Sequence, residues 1–463
     1  MQKLFDEVGS LDKRCYDEFG LSEDILMEHA ANGMANYIRE NFTKHSKVCI
    51  VCGSGNNGAD GIACARILHG DYDVGVFYVK KPKSPMAQLQ EKRAKSVGVK
   101  ELKALQECDV LIDAVVGTGF KGIFDENLRR VMDQLSTIKA FKIACDIPSG
   151  IHSNGVCSEG TFRADISLTM GGLKKSMFLD EAKEYVGTIK VIDLGISRTV
   201  YEGKSSWHLL ELFDLNLPYR GRQNVHKGSY GHLCVACGSK SGASIMSAKS
   251  ALRFGAGLVT LIGFEDIEIP YEIMYSHELP STTTALALGM GLGDEFSEME
   301  LQEFLNNELP LIVDADIFAM KIVTSIIQRE NLVITPHPKE FISLLKQLGI
   351  ADITTTVLQK NRFKYVEMFC KKFPKVTIIL KGSNVIIAKD QEFFINPHGT
   401  SALAKGGSGD VLSGLVGSLL AQGYTALEAA KNASLAHTKL ALNYGGSDFS
   451  LTPNDLINQI GKL

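Results

Sequence analysis

No run in the chain approaches the roughly 18 consecutive apolar residues that a membrane-crossing helix needs. The opening Met-Gln-Lys-Leu-Phe-Asp-Glu also lacks the apolar core of a secretory leader. A cytoplasmic protein is therefore expected. Net charge is only −4, with no block of like charges, so there is no electrostatic footprint for nucleic acid or an anionic membrane. The Walker spacing Gly-x4-Gly-Lys-Ser/Thr is missing, which disfavours a P-loop nucleotide hydrolase. No repeat of about 20 to 50 residues is visible. Small molecules are the expected partners.

Ten cysteines are present, but they are scattered, and several stand in apolar strand-like runs such as Lys47-Val-Cys-Ile-Val-Cys52. They read as reduced. Cys49 with Cys52 and Cys234 with Cys237 have the count of a zinc site, yet about 180 residues separate the pairs. Each pair also ends a predicted buried strand, where residues three apart point to opposite faces, so core packing is the reading. At 463 residues and 45% hydrophobic content, the chain has material for two or three cores at roughly 150 residues each.

Residues 400–414, Thr-Ser-Ala-Leu-Ala-Lys-Gly-Gly-Ser-Gly-Asp-Val-Leu-Ser-Gly, put glycines 406, 407 and 409 directly before a run of helix formers. Glycines let backbone approach a ligand, and the free N–H groups and dipole of a helix N-terminus attract phosphate. Asp410 sits where phosphate repels it, so either it is a plain helix cap or it takes a proton from an attacking hydroxyl.

Earlier in the chain, apolar residues at 26, 27, 30, 34, 37 and 38 predict an amphipathic helix over 23–42, capped by Ser22. Val48 to Cys52 predicts a buried strand, followed by the loop Gly53-Ser-Gly-Asn-Asn-Gly-Ala-Asp-Gly61 and a helix to about Leu68. Asn56, Asn57 and Asp60 supply oxygens rather than a bare pyrophosphate cradle, so the loop could hold a cation as well as a ligand. Two more strands end alike: Val110-Leu-Ile-Asp-Ala-Val-Val-Gly-Thr-Gly carries Asp113, and Phe141-Lys-Ile-Ala-Cys-Asp-Ile-Pro-Ser-Gly150 carries Asp146. In a parallel α/β sheet these strand ends share one edge, so Asn57, Asp113, Asp146 and Ser149 converge on one crevice. Further strand patterns run from Ala164 to Met170 and from Gly187 to Gly195.

A second α/β set begins at Gly231. It has a small-residue helix over 242–257 and strands at 285–288, 309–313 (before Asp314-Ala-Asp316), 332–335 and 376–380, with the last helices starting near Gly407 and Thr425.

The three strand-end motifs of the first half closely resemble the signatures of the NAD(P)H-hydrate epimerase family. The resemblance implies a Rossmann-like three-layer αβα sandwich over 1–205, with Asn57, Asp113 and Ser149 as potassium ligands and Asp146 as catalytic acid/base. Asn56, Asn57, Gly58, Ala59 and Asp60 would bind the hydrated dinucleotide together with Gly117, Thr118, Gly119, Phe120, Lys121, Gly122, Ile123 and Asp146. Ala59 replaces the family's usual Gly.

Gly406-Gly-Ser-Gly-Asp410 resembles the anion-hole signature of ribokinase-like kinases, and the second half resembles the ADP- or ATP-dependent NAD(P)H-hydrate dehydratases of that fold. That implies a ribokinase-like α/β domain over 206–463, with Ala243, Gly291, His337 and Asp410 at the substrate. Lys381, Gly382, Ser383, Asn384, Val385 and Gly409 would bind the nucleotide, and Asp410 would be the base. Met290, Lys339, Thr400, Leu403 and Lys405 depart from the family pattern. The implied activity is epimerisation of NADHX and NADPHX, followed by ADP- or ATP-dependent dehydration of one epimer, with K+ and Mg2+, in a homo-oligomer. Two other readings compete. One is a ribokinase-like small-molecule kinase with a non-catalytic first domain; the other makes the first half a scaffolding module, against which stand Asp60, Asp113 and Asp146 together and the lack of a basic patch.

Overall fold

The computed structural model describes residues 1–463 apart from 121, 265 and 266. Its contacts divide the chain into two compact units, residues 3–205 and residues 206–463 with 1–2.

The first unit is built on seven parallel strands in the order Lys100–Glu101, Asp73–Tyr78, Lys47–Cys52, Val110–Ala114, Phe141–Cys145, Ile166–Met170 and Thr188–Ile192. The central strands are apolar throughout because both their faces are covered. Val48, Ile50 and Cys52 enter one cluster with Met34, Ile38 and Ile62, whereas Cys49 and Val51 enter another with Leu128, Val131 and Leu135. Cys49 and Cys52 thus lie on opposite sides of one strand, as core residues. Each such buried aliphatic side chain contributes roughly 1.5–3 kcal/mol. One covering helix is Glu23–Asn41, whose N-terminus is fixed by the Ser22 hydroxyl accepting from the Ile25 amide, and which buries Leu26, Met27, Ala30, Met34 and Ile38.

The glycine loop is shorter than the sequence suggests, because the helix Asn56–Leu68 begins within it. The glycines serve close packing rather than loop freedom. A Cβ on Gly58 would stand 2.2 Å from the Gly53 carbonyl oxygen, and one on Gly61 would stand 2.6 Å from the Ala114 methyl. Asn56, Asn57 and Asp60 are therefore on the first helical turns, held rigidly at the strand edge.

In the second unit, ten strands follow the order Met274–Ser276, Leu258–Ile262, His232–Ala236, Ala285–Leu288, Leu311–Val313, Leu332–Ile334, Thr377–Leu380, Val385–Lys389, Glu392–Asn396 and Trp207–Leu209. Pairing is parallel as far as Thr377–Leu380; Val385–Lys389 is antiparallel to both its neighbours. Helix Ser408–Ala421 packs against helix Ser241–Arg253 through its small residues: a Cβ on Gly414 would meet the Ser247 carbonyl oxygen at 2.1 Å. The strand order reverses beside Lys47–Cys52 in the first sheet and beside His232–Ala236 in the second, and such reversals open a crevice at the carboxyl edge.

Candidate active sites

The crevice of the first unit is a cleft of about 700 Å³. Its walls are the segments that follow three central strands: Gly53 to Asp60, Val115 to Phe120, and Asp146. Gly53 allows the first two to meet, since a Cβ there would stand 1.8 Å from the Val115 carbonyl oxygen. Of the expected dinucleotide contacts, Asn56, Asn57 and Asp60 line the cleft, as do Gly117 to Phe120, Ile123 and Asp146. Gly58 and Ala59 lie behind it, and Ala59 packs fully buried with Met27, Met86 and Ala87, so the methyl at 59 is absorbed by the core. Gly122 occupies an open left-handed turn off the cleft (φ +94°), and Lys121 lies outside the described residues.

Asp146 follows its strand at φ +70°, a region that Asp adopts more readily than branched residues do. The turn aims its carboxylate back at the next strand, where Oδ1 accepts from the Met170 amide at 3.0 Å and from the Lys174 ammonium at 2.5 Å. Lys174 is fully buried and also donates to the Thr169 hydroxyl at 2.8 Å. This lysine was not expected from the sequence. Asp60, on the opposite wall, is pushed well above the usual carboxylate range by burial, with the Asp146 and Asp12 charges adding to it.

Asp113 and Ser149 sit beneath the cleft, both fully buried. Asp113 accepts from the Ser149 amide (2.7 Å), the Ser149 hydroxyl (2.6 Å) and the Val115 amide (3.2 Å). Burial nonetheless pushes it up to about 6, and among the described residues no cationic side chain bonds to it. Asn57 is half-buried, and its buried Nδ2 has no hydrogen-bond partner among the described residues.

At the carboxyl edge of the second sheet the strand ends carry Asp314, His337 and Lys381. The Lys381 ammonium donates to both carboxylate oxygens of Asp314, at 2.7 and 2.9 Å, and Asp314 also accepts from the Ser413 hydroxyl at 2.7 Å. Ser413 lies on the helix Ser408–Ala421 that also carries Gly409 and Asp410, so the lysine is tied to that helix. A Cβ on Gly409 would stand 3.2 Å from the Lys381 Nζ. Gly407, at φ +88°, turns the chain into the helix. Asp410 is not the helix cap, since that position is Gly407; burial and the neighbouring Asp314 charge push its carboxyl up, against the pull of Lys381.

The other expected residues fall around this centre in part. Gly291 (φ +72°) and Ala243 adjoin, since a Cβ on Gly291 would stand 3.1 Å from the Ala243 methyl. Met290, where the family has Pro, is fully buried. His337 caps helix Pro338–Gln347, its Nδ1 accepting from the Lys339 and Glu340 amides, with its ring half exposed. Gly382, Ser383 and Asn384 form the turn after Lys381, with Asn384 buried, and Val385 opens the next strand. The Lys405 ammonium is bound to the Phe449 carbonyl, and the residue is exposed on the bend that precedes the helix Ser408–Ala421.

Residues 233–462 match the family model described as NAD(P)H-hydrate dehydratase, and residues 23–176 match that of the YjeF-related protein N-terminus. The chain is 45% identical to the bifunctional NAD(P)H-hydrate repair enzyme of Helicobacter pylori, over all of both chains. The chain belongs to this family. A second bifunctional repair enzyme, from Dictyoglomus turgidum, is 31% identical across 98% of this chain and 96% of its own. A solved structure of the ADP/ATP-dependent NAD(P)H-hydrate dehydratase from Bacillus subtilis, co-crystallised with ATP/Mg2+, aligns with 54% of this chain and 94% of its own at 25% identity and a TM-score of 0.46. In this member of the repair-enzyme family, sequence reading missed Lys174 and the roles of Asp314 and Ser413. Asp314 follows a buried strand as Asp146 does, and Asp113 stands next to the last residue of one, so the same strand-end rule could have found it.

Proposed function

We infer that this chain repairs hydrated nicotinamide dinucleotides in two steps: it interconverts the epimers of NADHX and NADPHX, then dehydrates one of them with ADP or ATP to NADH or NADPH. The observation that carries this is the pair of separate carboxylate centres, Asp146 paired with Lys174 and Asp410 beside Lys381, in a chain that is similar end to end to a bifunctional repair enzyme.

Hydration leaves a hydroxyl on C6 beside the ring nitrogen, and hydroxide leaves poorly. For the dehydratase, Asp410 accepts the proton of that hydroxyl as it attacks the terminal phosphorus; its raised pKa makes it the better base. The helix N-terminal amides and the Lys381 ammonium neutralise the transferred group. Nitrogen lone-pair donation then expels phosphate to give a C6–N1 iminium, and loss of a C5 proton to water forms the C5–C6 double bond of the reduced dinucleotide, with AMP or ADP as the other product. Mg2+ would accompany the nucleotide phosphates, since no group of three or more His, Cys, Asp or Glu side chains comes together as a metal cage among the described residues.

In the first unit, Asp146 serves the C6 hydroxyl as acid/base. Asn57, Asp113 and Ser149 would hold K+: the donor set is all oxygen, and a buried carboxylate without a cation fits one. When bound, the ion supplies positive charge that orients the dinucleotide. Residues 1–205 would be the epimerase domain and 206–463 the dehydratase. Among the described residues no helix is long and apolar enough to cross a membrane; we assign the enzyme to the cytoplasm as a homo-oligomer.

The test is a mixed-epimer NADHX preparation with nucleotide, K+ and Mg2+. One phosphate released per NADH formed supports this reading. A stable phosphorylated alcohol with no NADH would support the kinase reading instead.

A further inference from the structure

The cleft of the first unit holds a second anchored carboxylate that no motif announces. Asp12 lines it from the helix Gly9–Phe19. Its Oδ1 accepts from the Tyr201 hydroxyl at 2.7 Å, and Tyr201 is itself 1% exposed. The ring is wedged against Gly171, where a Cβ would stand 2.5 Å from the Tyr201 ring. Asp12 is thereby fixed in direction, whereas Asp60 on the neighbouring wall has no such anchor among the described residues.

We propose that Asp12 and Asp146 form the acid/base pair of the epimerisation, acting on opposite faces of C6; this rests on the reading of the cleft as the epimerase site. Inversion at C6 through a planar intermediate needs one group to protonate the departing hydroxyl and another to deprotonate the water that returns. In one direction Asp12, as the carboxylic acid, gives its proton to the C6 hydroxyl. The C6–O bond breaks, water leaves, and the N1 lone pair forms the C6–N1 iminium. Water then adds to the other face, its O–C6 bond forming while the electron pair returns to N1 and Asp146 takes the surplus proton. Exchange with bulk water restores both carboxyls, and the reverse direction swaps their roles.

The surroundings divide the two carboxyls in the sense this needs. The groups that act on Asp12 are Tyr201, Lys174, Asp146 and Glu7. The only ammonium among them, that of Lys174, is bonded to Asp146. Burial above all raises Asp12, favouring the protonated acid.

The experiment uses the full chain with purified NADHX epimers, K+ and no nucleotide, following interconversion by chiral chromatography in H2(18)O. Asp12→Asn, which can still accept from Tyr201, is expected to lose at least about 100-fold in kcat with KM within about threefold of the parent. Tyr201→Phe, which keeps the carboxylate but not its anchor, is expected to lose about fivefold. The parent should gain one 18O at C6 per inversion. Dehydration of the reactive epimer and the thermal midpoint check that each variant is folded; if Asp12→Asn is not, the label and Tyr201→Phe decide. Inversion without label, a Tyr201→Phe rate equal to the parent's, or an Asp12→Asn protein with parental kcat, raised KM included, overturns the pairing. Asp146→Asn run alongside separates the two levels: if it inverts at the parental rate, the reading of the cleft fails as well.

Discussion

Asp146→Asn should destabilise the first unit before any question of catalysis arises. The substitution keeps shape, and Asn tolerates the φ of +70° at this position about as well as Asp does. What disappears is the counter-charge of Lys174, which is 0% exposed while Asp146 is 15% exposed. Breaking a buried ion pair from one side costs roughly 3–5 kcal/mol. Lys174 retains the Thr169 hydroxyl at 2.8 Å and the Met170 carbonyl at 3.3 Å, so the lower end, about 3 kcal/mol, applies. Urea unfolding followed by hydrogen exchange in the strand Phe141–Cys145 reports on this unit. With a urea slope of about 2 kcal/mol/M the midpoint should fall by about 1.5 M. Adding Lys174→Met removes the orphaned charge and should recover most of the loss without restoring epimerisation. A single variant within about 0.5 kcal/mol of the parent, or a double variant no better than the single, would refute the reasoning.

Three further outcomes are expected. His437 is buried, its Nε2 3.1 Å from the Ser408 hydroxyl, and burial pushes it down to about 4; the unfolded imidazole takes a proton near 6.5 that the folded one refuses. Its stabilisation is therefore complete above about pH 6.5 and lost as pH falls to about 4, roughly 3 kcal/mol in all. His437→Asn should lack that share when denaturation curves at the two pH values are compared, whereas Glu340→Gln should remove a dependence of opposite sign, since burial pushes Glu340 up to about 7. Gly409→Ala puts a methyl 3.2 Å from the Lys381 Nζ and should cut dehydration by about 10-fold or more with epimerisation unchanged, measured on single epimers. Replacing K+ by a bulky organic cation should slow epimerisation and leave dehydration intact; equal slowing of both would count against the Asn57, Asp113 and Ser149 assignment.

What could be read from the sequence was whatever chemistry lies at a strand end or a glycine-led helix start. Asp113, Asp146 and Asp410 are of that kind, because buried apolar runs and the glycines after them mark the sheet edge at which a carboxylate is held. The start of the helix Asn56–Leu68 was not, since Gly58 and Gly61 look like loop glycines until the wall they touch is known. Lys174 escaped because its partner is 28 residues away and a Lys-Lys doublet reads as a solvated pair. Asp12 and Tyr201 meet across 189 residues from two helices with no motif of their own. His337 was expected at the substrate; its ring nitrogen is engaged in capping a helix, a role that local spacing with Glu340 encodes equally well.

The central claim is that two independent carboxylate centres act in sequence on one substrate pool. The most direct measurement follows reduced-nicotinamide absorbance from a mixed-epimer NADHX preparation with ADP or ATP, comparing the parent with Asp146→Asn and Asp410→Asn. The account predicts full recovery for the parent. Asp146→Asn should stop at the share of the dehydratable epimer, beyond which only the slow uncatalysed inversion adds, and Asp410→Asn should recover almost nothing while still interconverting the epimers. Full, fast recovery by either variant, or loss of both activities in Asp410→Asn, would contradict it.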